Sequence, residues 1–592
     1  VTTEFTHPVE YRPRVSVTAV SSTENGIDLP DDASLYSVIS GAAAADPQRL
    51  SLCGADGTQL TAAEVDRRAR ALASALAARG VAAGDRVAIL GRTDLAWALL
   101  DCALLALGAV VVPVYPTSSP AQIAHILTDS GSAYFAAEDE TDAARLRAAG
   151  AAVVWTFAQL VDWAGGEVDA ALADRIAAVR PDDLAMIVYT SGTTGVSKGC
   201  LITHRNMFVS SANTVRQTGD MFDGTTVLAL PLSHVFGQTI LFACLFGGSR
   251  THLLPGIPDL VPALPRLRPT FLALIPFGLE KIRKYCRTLV SETEEATAVE
   301  RGLELLGTRG YLERGEPAPD ADRVAERAGA QGVSEATAHP VAAALGGRLR
   351  YVISGGASLD DSTSGFYAGF GVVLLNCYGL TEAATAVTVS APATNRLGTV
   401  GRPIPGTSVA IAAADGEVLV GGPHVSPGYW GAAADQAVVD AEGWLHTGDL
   451  GELDADGFLR ITGRKKEILV TSGGKNVAPA PLEDRVRLHQ VVSNCMVVGE
   501  GRDYVTALIT LDPAQVRRWR ENEPDGDLTA VVQSAVDDAN SLVSRAESIR
   551  AFRIVEGDFT VEDGLLTASR KLRRAAIAEA FAADIAELYA RR

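Results

Sequence analysis

The sequence predicts an α/β fold: a large N-terminal domain of parallel and mixed sheets with covering helices and a β-rich subdomain, followed by a small C-terminal α+β domain. Three observations predict it. Short apolar runs alternate with helical segments, as at Asp85–Leu90, Leu95–Leu107 and Ala109–Val114. Strand–helix–strand alternation argues for parallel sheets with helices on their faces. From Gly398 the texture changes to short strands and glycine turns, and beyond the basic break Lys465-Lys466-Glu467 a compact tail the size of one small domain remains. A chain of 592 residues is too long for one core. The expected divisions are 1–465, with a helical insert at about 278–346 and a β-rich subdomain at about 398–463, and then 466–592.

Taken in order, Leu60–Gly80 is the first clear helix. Thr61 suits its N-cap, Glu64 completes a capping box and Gly80 stops it. Strands follow at 85–90, 109–114, 133–137 and 152–156, with helices at 95–107 and 141–149 between them. Leu184–Val188 is a further strand, and Cys200–Met207 reads as a turn and a helix. Thr226–Gly237 runs a strand into a turn containing His234, and Phe271–Pro276 is one more strand. Residues 278–346 are rich in Ala, Glu and Arg, with polar breaks at Gly315–Asp322 and Gly329–Thr337, and read as mostly helical. Strands resume at 348–353, leading into Ser354-Gly-Gly-Ala, and at 372–377, leading into Tyr378-Gly-Leu-Thr-Glu382. Val418–Val420 and Phe458–Ile461 are strands of the β-rich part, and the tail ends in helices at 528–546 and 571–592.

The chain is organised around Tyr189-Thr-Ser-Gly-Thr-Thr-Gly-Val-Ser-Lys-Gly199. Glycines let a backbone fold its N–H groups around an anion. Hydroxyls donate to phosphate oxygens, and Lys198 adds positive charge. The composition is that of a phosphate-gripping loop. It is not a Walker A loop, which needs the lysine directly after a glycine, whereas Lys198 follows Ser197.

Composition excludes several classes. Hydrophobic content of 47% and charged content of 21% describe a globular chain. A net charge of −19 argues against a nucleic-acid surface. The seven cysteines form no Cys-x-x-Cys pair and the nine histidines no His-x-x-x-His pair, so neither a zinc site nor a disulfide framework is indicated. The N-terminus lacks a basic and an apolar leader segment, and a cytoplasmic location is expected. Two stretches without Asp, Glu, Lys or Arg, 102–128 and 225–249, are broken by prolines or polar residues and read as buried core. The basic run Lys281–Arg287 hints at most at peripheral membrane contact.

Tyr189–Gly199, Tyr378–Glu382, Thr447-Gly-Asp449 and Gly463-Arg464 stand in order at domain-scale spacing. Together they resemble the adenylate-forming (AMP-binding) superfamily of acyl-CoA synthetases, luciferases and adenylation domains, across nearly the whole chain. The insert, Gly463–Asn476 and Leu566–Arg574 resemble its long-chain fatty acyl-CoA ligase branch. The resemblance implies the fold of these enzymes, with a mobile C-terminal domain. It also implies an ATP-dependent reaction: a carboxylate, here a medium- to long-chain fatty acid, is joined to AMP with release of pyrophosphate and then passed to coenzyme A. Mg²⁺ is implied as the metal.

Residue by residue, the resemblance implies that Thr190, Ser191, Gly192, Thr193, Thr194, Gly195 and Lys198 surround the β- and γ-phosphates. Glu382 and Thr190 would hold Mg²⁺, and Thr381 would touch the α-phosphate. Tyr378 would stack on adenine, with Gly355, Gly356, Ala357, Asn376, Cys377 and Gly379 completing the base pocket. Asp449 would accept the ribose hydroxyls, helped by Arg464 and flanked by Ile461. Lys571 would reach the α-phosphate and acyl oxygens, His234 would sit near the carboxylate, and Lys466 would lie at the hinge. Each residue alone has a plainer reading: Tyr378 as a half-buried aromatic, Asp449 as a turn residue, Lys571 as part of a solvated helix face, His234 as a core residue.

The sequence departs from the family pattern at Ala568, where many relatives have Pro, at Arg570, where they have Gly, and at Phe277, where long-chain members have Arg. Other readings stay open. One is an acyl-AMP ligase that loads a carrier-protein phosphopantetheine thiol, and another a ligase for aryl or other acids. A silent adenylate-binding protein and an unrelated NTPase are further alternatives. Oligomeric state and acid chain length are not legible.

Overall fold

The computed structural model of the chain describes residues 3–4, 16–190, 197–309, 333–357, 359–434, 436–567 and 570–590. The chain divides into two compact units. The first comprises Val1–Ala357, Asp361–Thr447 and Glu452–Arg460; the second comprises Ser358–Asp360, Gly448–Gly451 and Ile461–Arg592.

The first unit is α/β with two large mixed sheets. The nine-stranded sheet has the order Arg402–Pro403, Thr385–Val389, Val373–Leu380, Tyr351–Ser354, Phe271–Leu274, Thr225–Leu228, Arg250–Leu253, Leu50–Cys53, Gln59–Thr61. Its central strands are parallel and antiparallel strands close both edges. The six-stranded sheet has the order Lys198–Thr203, Leu184–Thr190, Val110–Val114, Arg86–Leu90, Tyr134–Ala137, Val154–Thr156, and only its first pair is antiparallel. Parallel strands need covering on both faces, which explains the charge-free stretches. Helix Leu95–Leu107 is buried along its whole length, capped by Asp94 and ended by left-handed Gly108. Helix Val235–Gly247 is buried almost as completely. Among the described residues, no helix is long and apolar enough to cross a membrane.

A five-stranded sheet runs Val17–Ser22, Ser408–Ala412, Glu417–Gly421, Leu445–Leu453, Leu459–Arg464. Its first strand was not among the expected elements, because its burial alternates weakly and its partner is almost 400 positions away. Thr447-Gly-Asp449 lies within a strand of this sheet rather than in a plain turn, although Gly448 has φ +72°. In the insert, helix Glu292–Arg309 packs backbone to backbone on helix Asp361–Gly369. A Cβ at Gly302 would fall 1.8 Å from the Gly365 carbonyl oxygen, and one at Gly369 2.1 Å from that of Ala298. Much of the polar-break region of the insert lies outside the described residues.

The second unit holds a three-stranded sheet, Val492–Val498, Thr506–Leu511 and Phe552–Ile554, with helices Pro479–Arg487 and Leu528–Asn540 against it. Two helical expectations need correction. The segment after Tyr189–Gly199 is a strand, Lys198–Thr203, before helix His204–Thr218 begins at the Thr203–Asn206 capping box. The C-terminal helix does not begin at Lys571: helices span Arg574–Ala580 and Ala582–Ala590, and Lys571 lies in the loop before them.

Helix Leu95–Leu107 contains Asp101, 0% exposed, which accepts a hydrogen bond from Gln238 Nε2 at 2.8 Å. Burial pushes its carboxyl up to about 8. A raised folded-state value means that folding binds a proton between the unfolded and folded pKa values. Stability from this group is therefore full below about pH 4 and falls until about pH 8. Relative to Asp101→Asn, the native chain should lose up to about 1.4 kcal/mol per pH unit across that window and then level off. Urea unfolding of both proteins at several pH values measures it; parallel curves would show that Asp101 is ionised in the fold.

Candidate active site

The residues singled out in the first unit gather at the carboxyl ends of parallel strands, where open α/β sheets place their ligands. Thr190 ends Leu184–Thr190 and pairs with Lys198, so the phosphate-type loop joins two antiparallel strands. Ser191, Gly192, Thr193, Thr194 and Gly195 lie outside the described residues. Both ends of the loop are tied to helix Pro120–Ser130. Tyr189 donates its hydroxyl to Asp129 at 2.7 Å, and His125 Nε2 bonds the Ser197 carbonyl at 2.8 Å.

The outer edge of strand Lys198–Thr203 is covered by residues 426–430. Trp430 N–H donates to the Gly199 carbonyl at 2.7 Å and Leu201 N–H to that of Gly428 at 3.0 Å. Ser426 Oγ donates to the Leu201 carbonyl at 2.7 Å. This segment also reaches Glu382: Ser426 N–H donates to its carbonyl at 2.8 Å, and the Tyr429 hydroxyl to its Oε1 at 2.8 Å. The Lys198 ammonium stands 5.5 Å from the centre of the Tyr429 ring and donates to Gln436. Burial and the Glu382 carboxylate push the Tyr429 phenol upward, so it stays a donor. Thr190, Lys198 and Glu382 are thus linked through one seam.

Glu382 is presented by a strained turn. Thr381–Ala383 form one 3₁₀ turn, and Ala384 and Thr385 then take φ +45° and +90°. A β-branched residue with positive φ is an outlier that surrounding contacts must hold. Thr239 does so, its hydroxyl 2.9 Å from Thr385 Oγ1 and 3.3 Å from the Ala384 carbonyl. Gly379 has no alternative here, since a Cβ would lie 1.3 Å from the Thr385 carbonyl oxygen. Gly355 is similar: a Cβ there would fall 2.5 Å from Cys377 Sγ, on the adjacent strand where Ser354 pairs with Asn376. Gly355 is buried, Gly356 and Ala357 are exposed, and Asn376, Cys377, Tyr378 and Thr381 are half-buried around this crevice.

His234 caps helix Val235–Gly247. Its Nδ1 accepts from Phe236 N–H at 3.0 Å, which assigns the proton of the neutral ring to Nε2. Its ring meets Tyr115 edge-on at 6.2 Å. The same helix carries Thr239, so His234 belongs to the scaffold that holds the Glu382 turn.

In the second unit, buried Asp449 accepts from Arg464 Nε at 2.7 Å. Ile461 is half-buried on the strand that leads to Arg464, and Lys466 is exposed in the turn that follows. Lys571 is exposed; its carbonyl accepts from Thr567 N–H at 2.8 Å and its own N–H donates to Thr567 Oγ1 at 3.0 Å. Arg570, before it, has φ +62°. That is the left-handed conformation that glycine adopts without cost and other residues rarely take.

A family model described as "AMP-binding enzyme" matches residues 39–430, and one described as "AMP-binding enzyme C-terminal domain" matches 466–592. The chain belongs to the AMP-binding enzyme family. It is 39% identical to long-chain-fatty-acid–CoA ligase FadD15 of Mycobacterium bovis over 570 residues, covering 90% of this chain and 92% of that protein. FadD15 of Mycobacterium tuberculosis is 38% identical over the same shares. Among solved structures, the anthranilate CoA ligase AuaEII with anthranoyl-AMP superimposes with a TM-score of 0.72 at 19% identity, covering 94% of this chain and 99% of that one, which shows the shared fold.

Sequence reasoning missed Tyr429, Tyr115 and Thr239 in this AMP-binding enzyme. Nothing local marks them; each acquires its place through a long-range contact. Tyr429→Phe keeps the ring and removes only the hydroxyl. We expect a fall of at most about a few degrees in melting temperature and a loss of about tenfold or more in AMP formation from ATP, the size of one hydrogen bond to a charged group. Full activity would reduce the Tyr429–Glu382 bond to packing.

Proposed function

We propose that this chain activates a medium- to long-chain fatty acid with ATP and transfers the acyl group to coenzyme A. The observation that carries this reading is the near full-length match to FadD15. In the first step a carboxylate oxygen attacks the α-phosphorus. A new P–O bond forms, the bond to the β-phosphate oxygen breaks, and pyrophosphate leaves with that electron pair. In the second step the thiol sulfur attacks the acyl carbonyl, loses its proton, and AMP departs. A carboxylate is a poor electrophile, and adenylation supplies the leaving group.

The residue roles are our assignment. Thr190 and Lys198 hold the terminal phosphates and Thr381 the α-phosphate. Tyr378 and the Gly355–Ala357 backbone bind the base, and Asp449 with Arg464 the ribose. Lys571 stabilises charge at the α-phosphate, His234 orients the carboxylate, and Lys466 marks the hinge. Such catalysis is positioning and charge stabilisation. Among the described residues no group of three or more His, Cys, Asp or Glu is placed to hold a metal. We assign Mg²⁺ to the Glu382 carboxylate with the Thr190 hydroxyl, a donor set that suits an ion commonly held by one or two carboxylates and the substrate's own phosphates. When bound it would neutralise phosphate charge.

Mass spectrometry of products tests the proposal. With ATP, Mg²⁺, CoA and a graded set of carboxylic acids, acyl-CoA should form from fatty acids, with the yield ranking chain length. Acyl-AMP that accumulates despite CoA would move the reading to carrier-protein loading, and no product from any fatty acid would refute it. In the same assay Lys571→Ala should lose acyl-AMP formation by about a hundredfold or more, yet still convert synthetic acyl-AMP and CoA to thioester. Normal adenylation by this variant would overturn the assignment of Lys571.

A further inference from the structure

At one edge of the nine-stranded sheet, one face carries a polar row. Arg250 and His252 alternate along Arg250–Leu253, and the register places His252 beside Cys53 and Cys53 beside Gln59. Residues two apart on a strand, and directly paired residues on neighbouring strands, share a face. These side chains line a cavity of about 240 Å³, together with Arg266 of helix Ile257–Leu267 and the turn after Cys53.

The electrostatics of this cavity are one-sided. Among the described residues, no Asp or Glu lines it. Asp56, in the adjoining turn, is committed to the Thr58 N–H and hydroxyl at 2.9 and 2.8 Å. Arg250 Nε is buried and has no hydrogen-bond partner. Burial, and after it the charges of Arg250 and Arg266, hold the pKa of His252 down to about 4, so the imidazole is neutral and keeps one N–H donor. A chain with net charge −19 has acids in excess, yet none is used here. A buried guanidinium atom without a counter-charge is costly, and a bound anion would remove that cost.

We infer that this cavity is a binding site for a small multivalent oxyanion of the phosphate class, held by Arg250 and Arg266 with an N–H of His252 as a further donor. Guanidinium forks match the oxygens of phosphate, and two of them suit a dianion better than a single carboxylate. The volume admits phosphate, pyrophosphate or a small phosphomonoester and is below the range of pockets that enclose drug-sized ligands. None of the residues assigned to the nucleotide lines it.

Equilibrium dialysis of the full chain with ³²P-labelled phosphate, pyrophosphate or glycerol 3-phosphate tests the site, with α,β-methylene-ATP in excess to occupy the nucleotide site. One equivalent of at least one anion should bind at about millimolar concentration or below. The Arg250→Gln/Arg266→Gln double variant should weaken binding about tenfold or more, while Arg517→Gln/Arg518→Gln, on an exposed helix, should not. Preference for glycerol 3-phosphate would identify a phosphomonoester as the ligand, and preference for phosphate or pyrophosphate a free inorganic anion. Should the double variant not fold, Arg266→Gln alone, at an exposed position, should still weaken binding measurably. No binding of any of the three anions, equal weakening in the control pair, or unchanged binding in Arg266→Gln would overturn the proposal.

Discussion

The candidate site depends on the hydrogen-bonded seam along strand Lys198–Thr203. On one side the strand pairs with Leu184–Thr190, and on the other it accepts and donates bonds to residues 426–430. That second partner is what connects a phosphate-type loop to a carboxylate almost two hundred positions later, because Ser426 and Tyr429 both bond Glu382. Backbone pairing sets the distance between these groups more rigidly than side-chain contacts alone could. Arg86 and the Trp430 indole reinforce the far end, the indole N–H donating to the Asp129 carbonyl at 3.0 Å.

Strain is concentrated where the seam meets Glu382. Two consecutive non-glycine residues with positive φ, and a glycine whose neighbour allows no side chain at all, fix the path of the chain between Tyr378 and Thr385. The bond from Thr239 belongs to a helix that is buried throughout its first turns, so the strained turn is held by core packing. Such arrangements cost stability and persist where function needs a fixed geometry. At Gly355 the constraint comes from a side chain, since a Cβ there would fall 2.5 Å from Cys377 Sγ.

What the sequence could show follows from the range of the forces involved. Local periodicity and capping located helix Ala62–Ala77, with its Thr61–Glu64 capping box, and helix Leu95–Leu107 to within a residue or two. The β-alternation of Val17–Ser22 was too weak to read, and its pairing with Ser408–Ala412 is a tertiary fact. Cys200–Met207 read as a turn and a helix, whereas the pairing of Lys198–Thr203 on both edges makes its first part a strand. The runs that hold Glu382 and Asp449 could be singled out because each motif is short and local; Tyr429 and Thr239 could not, because their contacts span the fold. The glycine departure at Arg570 was visible as a substitution, but its meaning needed the backbone angle.

The central claim is that the acid's own oxygen attacks the α-phosphate of ATP at this site. Turnover of a fatty acid labelled with ¹⁸O in both carboxylate oxygens, with ATP and CoA, measures this directly by the mass of the AMP formed. The account requires one ¹⁸O in AMP and none in pyrophosphate. Unlabelled AMP, or label in pyrophosphate or free phosphate, would contradict it and mean that the carboxylate is activated by another route.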